Sequence, residues 1–173
     1  RFDRFPFDPS RWPFFYGWAM IPLATMGMLM SVPGQTMGVS AFTDPLLGAL
    51  EISRVRLTTA YMFGTIASSL VLPFAGRAYD RFGARFLALC SCLGLGAILL
   101  ILSAADRVAH GTAALMPAMN PGLVAAGVMT AGFFLLRFFG QGVLTMSSKN
   151  MLMQWFERRR GLANGCMGIF VAL

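Results

Sequence analysis

The sequence predicts an all-α, polytopic transmembrane helical bundle. Three observations carry that prediction. The 173 residues are 57% hydrophobic and only 12% charged, about half the charged share of a soluble domain, which is about 25%. The charged residues are clustered, so residues 13–43, 57–76, 86–105 and 111–136 hold no titratable side chain beyond Tyr16, Tyr61, Cys90 and Cys92. Each of those stretches contains the roughly 20 apolar residues that cross a hydrocarbon core about 30 Å thick at about 1.5 Å per residue. Four complete spans are expected near residues 14–40, 57–75, 86–104 and 122–148, and a fifth is expected to start near 161 and to be cut off at 173. A soluble bundle with four such runs would have too little polar surface. A secretory signal over residues 11–35 would need a shorter apolar region and an A-x-A cleavage site, and neither is there.

Residues 1–13 read as a Pro-rich, basic cytoplasmic lead. Trp12, Phe14, Phe15, Tyr16 and Trp18 crowd the start of the first span, as aromatic residues do at a bilayer interface. Inside that span the stretch SVPGQTMGVS, residues 31–40, places a Pro-Gly pair and polar Gln35 and Thr36 in an apolar run. Ala24, Gly27, Ser31, Gly34, Gly38 and Ala41 recur at three- and four-residue steps. They form one small-residue face against which another helix can pack closely. Pro33 lacks an N–H, and the break it causes is tolerable only against protein or a water-filled cavity.

Residues 41–56 are expected as an outer loop, with Ser53 the N-cap of the second span. That span is expected to end at Pro73. The inner loop 76–85 joins two spans with almost no slack, and Gly76 and Gly83 are expected to supply its unusual backbone angles. Residues 105–121 contain Gly111, Pro117 and Pro121 and are expected to be irregular. Residues 154–161 are the last inner loop. The sequence reads as 1–13, the lead, and 14–173, a membrane domain of four complete spans and the start of a fifth.

The basic residues sit at the ends of the spans. With a cytoplasmic N-terminus, the inner side holds Arg1, Arg4, Arg11, Arg77, Arg81, Arg85, Arg158, Arg159 and Arg160, and the outer side Arg54, Arg56 and Arg107. That asymmetry places the N-terminus inside. It also explains the net charge of +7 without nucleic acid, whose binders gather basic residues on one face. Cys90, Cys92 and Cys166 have no metal-site or disulfide spacing and read as small buried residues.

Arg137 is the first candidate for chemistry. It follows an apolar stretch that starts at Gly122 and so lies well inside the fourth span. An ion at mid-bilayer costs at least about 2.5–3.5 kcal/mol on insertion scales, and it persists only beside a wet cavity or a partner. Gln141 lies one turn on, and Thr145 and Ser148 continue the stripe. The guanidinium could attract an anionic solute such as a carboxylate. The alternative is an arginine bonded to oxygens of neighbouring helices. Gly64, Ser68, Gly140 and Gly142 read as packing residues. No acid lies within any complete span.

G76-R-A-Y-D-R-F-G-A-R85, between the second and third spans, resembles the signature loop of the major facilitator superfamily of secondary transporters. R137-F-F-G-Q-G142 resembles that family's fourth-helix motif, and W155-F-E-R-R-R-G-L-A-N-G165 its inner loop before the fifth helix. The resemblance covers residues 14–173. Ala78 stands where the family usually has leucine, and Ala84 where it often has arginine. F15-Y-G-W-A19 is similar to the Gly-Trp signature of monocarboxylate and oxalate/formate-type carriers, with Phe15 in place of the acid that begins it in the monocarboxylate group.

The resemblance implies two six-helix halves around a central cavity lined by helices one and four, with solute bound near the midplane as the halves rock. Arg137, Gln141, Gln35 and Thr36 are then the expected substrate contacts. Gly76, Asp80, Arg81, Gly83, Arg85 and Glu157 are the expected gating loop, with Glu157 pairing Arg81 or Arg85. The implied function is movement of a small solute, an organic anion or monocarboxylate, by alternating access. A non-transporting sensor or scaffold on the same fold is the alternative. Enzyme chemistry, a metal and a cofactor are not expected, because one outer-loop His110 and dispersed acids make no catalytic cluster. The expected partners are the solute, the lipid bilayer and the missing half, and the expected location is a bacterial inner membrane.

Overall fold

The computed structural model describes residues 17–115, 120–156 and 160–172. Those residues are helical almost throughout, in the order α1 (Gly17–Met30), a 3₁₀ turn (Val32–Gly34), α2 (Thr36–Leu50), α3 (Arg54–Ser103), α4 (Ala105–Leu115), α5 (Pro121–Leu136), a π-helical segment (Arg137–Leu144), α6 (Thr145–Trp155) and α7 (Arg160–Ala172). No strand occurs among the described residues. The expected lead and its aromatic residues Trp12, Phe14, Phe15 and Tyr16 lie outside them, as do Glu157, Arg158 and Arg159.

α3 is two helices joined at Gly83, whose φ of 82° and ψ of 168° are non-helical. Contacts along the 121–155 rod give the direction of each arm. In the first arm, residues 54–82, Gly64 lies beside Phe134 and Leu72 beside Gly142. In the second arm, residues 84–103, Gly94 lies beside Phe139 and Leu102 beside Gly132. The first arm therefore runs with the rod and the second against it, so the chain reverses at Gly83.

The α1–α2 pair also runs against the rod. Trp18 meets Phe156 edge-on at 5.9 Å, Gly27 lies beside Ser148 and Gly34 beside Gly140. The result is four chain passes of alternating direction. Tyr79 and Gln154, joined by a 3.4 Å hydrogen bond, lie at the Phe156 end. Arg56, beside Gly122, lies at the other.

Two helices, Arg54–Ser103 and Pro121–Trp155, are long and apolar enough to cross a membrane, and Gly17–Met30 is a shorter apolar helix. The α1–α2 pass falls short as a single helix because the Pro33 turn divides it. One face of each arm is buried. Leu57, Leu95, Ile98, Met129, Phe133 and Leu144 form the main core, and Met20, Ala24, Leu152, Ala163 and Met167 join α1, α6 and α7. The opposite face is bare and apolar: Leu70, Leu93 and Leu100 are 70%, 67% and 75% exposed. Water would penalise such a surface, at about 25 cal/mol per Å², and lipid would not.

Several expected boundaries move. Residues 41–50, expected as loop, continue α2 to Leu50, where Glu51 ends it in the left-handed region with φ of 51°. Ser53 caps α3 as expected, its Oγ accepting from the Arg56 N–H at 3.4 Å. The first arm does not stop at Pro73 but runs through it to residue 82. Gly76 is helical, so Gly83 alone makes the turn. Residues 105–115, expected to be irregular, form α4, because Ala105 and Ala109 bury one face and an alanine-rich run costs little to hold helical. Asn120 then caps α5, accepting from the Gly122 N–H at 2.9 Å.

Cys90 and Cys92 are exposed, not buried. They flank Ser91 on an arm whose buried stripe is Leu87, Ser91, Leu95 and Ile98. A helix turns about 100° per residue, so the two flanking side chains leave that stripe.

Candidate functional site

The site forms where two irregular backbones cross. On one side the chain leaves α1, makes the Val32–Gly34 turn and re-enters helix at Thr36. Pro33 gives no N–H to the preceding turn, and the backbone closes instead through Gly34 N–H to Ser31 O at 2.9 Å and Gln35 N–H to Val32 O at 2.9 Å. On the other side, the eight residues Arg137–Leu144 are π-helical, and the N–H of Thr145 still donates to Gly140 O. Such segments widen a helix by one residue per turn and change which side chains face a neighbour.

The crossing is glycine against glycine. A Cβ built on Gly34 would sit 2.6 Å from Leu136 O and 2.7 Å from Gly140 Cα, and one built on Gly140 would sit 2.8 Å from Gly34 Cα. A side chain at either position would force the two backbones apart. Ala24 and Ser31 are fully buried in the same seam, whereas Ala41 is exposed.

Arg137 lies at this crossing. Its Nη1 donates to Tyr61 Oη at 2.6 Å and to Thr36 Oγ1 at 3.2 Å. The two hydroxyls share a hydrogen bond of 3.1 Å. The guanidinium also lies over the Tyr61 ring, 5.2 Å from its centroid, within cation–π range. The ring is held edge-on by Phe133 at 5.4 Å and 87°, and Phe133 is 2% exposed. Three separate passes thus meet on one cation.

A second polar cluster joins the same two passes. Gln35 Nε2 donates to Ser31 Oγ at 2.9 Å, Thr145 Oγ1 donates to Ser31 Oγ at 3.1 Å, and Ser31 Oγ donates to Met28 O at 2.6 Å. Ser31 therefore has its one proton and both lone pairs in use. It is a satisfied structural hub with no capacity left for a ligand.

The expected stripe along the fourth pass is divided by the π segment. Arg137 turns to Tyr61 and Thr36, Thr145 turns to Ser31, and Ser148 is buried against Gly27. Gln141 is exposed. Thr36 joins Arg137 directly. Gln35 is half-buried and bonded within its own turn, so the structure brings Thr36 but not Gln35 to the guanidinium.

Tyr61 was not anticipated as part of a site. Its only sequence signal was that no other side chain in residues 57–75 titrates.

Of the expected gating loop, Asp80, Arg81, Gly83 and Arg85 are exposed around the turn, and Gly76 is half-buried one turn and more before it. The Arg81 guanidinium lies 5.5 Å from the Phe82 ring centroid, and that of Arg77 5.1 Å from Phe74. Glu157 lies outside the described residues, and so does its expected pairing. Tyr79 is buried beside the loop, and that burial, with the Asp80 charge next to it, raises its phenol pKa.

Compared with protein-family models, with curated proteins and with solved structures, the chain matches none. The residues and their geometry carry the functional reading.

Proposed function

We propose that these helices form part of one half of a major-facilitator-type secondary transporter that moves a small organic anion by alternating access. The observation that carries this reading is Arg137. It is placed midway along an apolar helix of spanning length and held by Tyr61 and Thr36 from two other passes. A half-buried cation within an apolar helix, bonded from two other passes, is costly to build and is the default mark of a solute path. The alternating passes fit four spans in a bilayer, near the expected segments. The motif loop lies at one end, with Arg77, Arg81, Arg85 and Arg160 at the inner face of a bacterial inner membrane and the N-terminus cytoplasmic.

The reading assigns Arg137 to the anion and Thr36 to the same site. Gln141, exposed one turn on, is a further contact. Gln35 supports the turn that presents Thr36. The loop around Gly83 is the hinge-side element of the gate, with Asp80, Arg81 and Arg85 exposed on it.

Uptake of radiolabelled small carboxylates into proteoliposomes holding the full-length chain tests the proposal. Wild type is expected to accumulate at least one of them, and Arg137→Gln to reduce the rate at least 100-fold. Equal uptake by Arg137→Gln and wild type would remove the anion site. Binding of a carboxylate with no flux would make the protein a sensor on this fold.

A further inference from the structure

Arginine side chains are long, and a guanidinium can grip a carboxylate only when its plane is fixed. Among the residues around Arg137, one does most of that fixing. Tyr61 accepts a 2.6 Å hydrogen bond from Nη1, and its ring centroid lies 5.2 Å from Cζ, within cation–π range. The ring cannot drift, because Phe133, itself 2% exposed, holds its edge at 5.4 Å. Thr36 takes the second Nη1 proton at 3.2 Å and bonds the Tyr61 hydroxyl at 3.1 Å.

Both protons of Nη1 are therefore committed. Nε and Nη2 make no hydrogen bond among the described residues. Those two nitrogens form the edge of the guanidinium whose parallel N–H pair matches the two oxygens of a carboxylate.

We propose that Tyr61 is the positioning residue of the anion site: it holds Arg137 by one nitrogen and leaves the Nε–Nη2 edge for bidentate capture of a carboxylate, an inference that rests on the anion reading of Arg137 above. Tyr61 acts through Arg137 and not on the solute. The site is thereby built for a planar carboxylate group, whatever chain that group carries.

The test is ligand affinity, measured by titration calorimetry on the purified full-length chain with formate, acetate, pyruvate, lactate and oxalate as probes. Wild type is expected to bind at least one probe, and Arg137→Gln none. Tyr61→Phe keeps the ring and its contact with Phe133 but loses the hydroxyl. It is expected to weaken binding about 10-fold, the size of a hydrogen bond to a charged group, with an unchanged melting temperature. In an Arg137→Lys background, where no planar fork remains to orient, the same substitution is expected to change affinity less than 2-fold.

The outcomes separate the two claims. No binding of any probe by wild type, or unchanged binding by Arg137→Gln, overturns the anion reading and this proposal with it. Loss of binding in Arg137→Gln with wild-type affinity in Tyr61→Phe overturns the positioning role alone. An equal 10-fold loss in both backgrounds also overturns it, because Tyr61 would then act without Arg137.

Discussion

Replacing Gly34 by alanine tests the crossing on which the site is built. The new methyl carbon would lie 2.6 Å from Leu136 O, 2.7 Å from Gly140 Cα and 3.0 Å from Gln141 N. All three are backbone atoms of the opposing rod, so no side-chain rotation relieves the contact. The two passes must separate by about 1 Å, and small-to-large changes in packed interiors cost about 1–3 kcal/mol. For a chain of this size that lowers a melting temperature by about 2–4 °C per kcal/mol, or about 2–12 °C in all. Gly96→Ala is the control, because a Cβ there meets nothing within 4 Å and alanine in a helix interior is favoured over glycine by about 0.5–1 kcal/mol. Gly140→Ala fills the same gap from the other side, its Cβ 2.8 Å from Gly34 Cα. Once the passes have separated for one methyl, the second costs less, so the double variant should lose less than the sum of the two singles. The assay is thermal unfolding in detergent at one fixed scan rate, since membrane proteins commonly unfold irreversibly. A Gly34→Ala protein as stable as Gly96→Ala would refute the close crossing. Strict additivity of Gly34→Ala and Gly140→Ala would refute the shared gap.

Two further predictions concern the turn at Gly83. Gly83→Ala should cost about 1–3 kcal/mol, because its φ of 82° and ψ of 168° lie where essentially only glycine is found, whereas Gly76→Ala, helical and with open space at its Cβ, should be neutral or stabilising; equal melting temperatures would contradict the turn. Tyr79 should titrate above the ordinary tyrosine value of about 10, because burial and then the Asp80 charge disfavour the phenolate. Its folded pKa exceeds the unfolded one, so the stability it contributes is complete below about pH 10 and is lost as the pH rises through the folded value. Difference absorbance near 295 nm between wild type and Tyr79→Phe should show that one late transition, and a transition at or below the free-tyrosine value would refute it.

The helical passes were legible because their signal is local. Apolar runs of spanning length, Ser53 as a cap and the small-residue spacing from Ala24 to Gly38 can all be read from neighbours in sequence. The extent of α2 and of α4 was not, because residues 41–50 and 105–115 are held by burial of Leu50, Ala105 and Ala109 against other passes, a tertiary effect that overrides turn-like residues such as Pro45 and Gly111. Arg137 was legible as an ion out of place. Its partner Tyr61 was not, because the pairing depends on how two passes align. The π segment leaves no compositional mark, and it is what turns Thr145 away from Arg137 and onto Ser31.

The two backbone irregularities compensate for each other. The Pro33 turn sets Gln35 and Ser31 where a straight helix would present one uniform face, and the π segment sets Thr145 opposite them. Either irregularity alone would leave polar groups facing apolar surface, at a cost of about 1–3 kcal/mol for each unsatisfied group. Opposed at the same depth, they bond each other through Ser31, and their glycines permit the approach that brings Thr36 to Arg137. The Ser31 hydroxyl has no free hydrogen-bonding capacity, while the Arg137 guanidinium keeps two donor nitrogens uncommitted among the described residues. Rigid, saturated packing thus stands directly beside an unsaturated cation. That division separates the two clusters at this crossing: Ser31, Thr145 and the two glycines fix the geometry, and Arg137 keeps donors to spare.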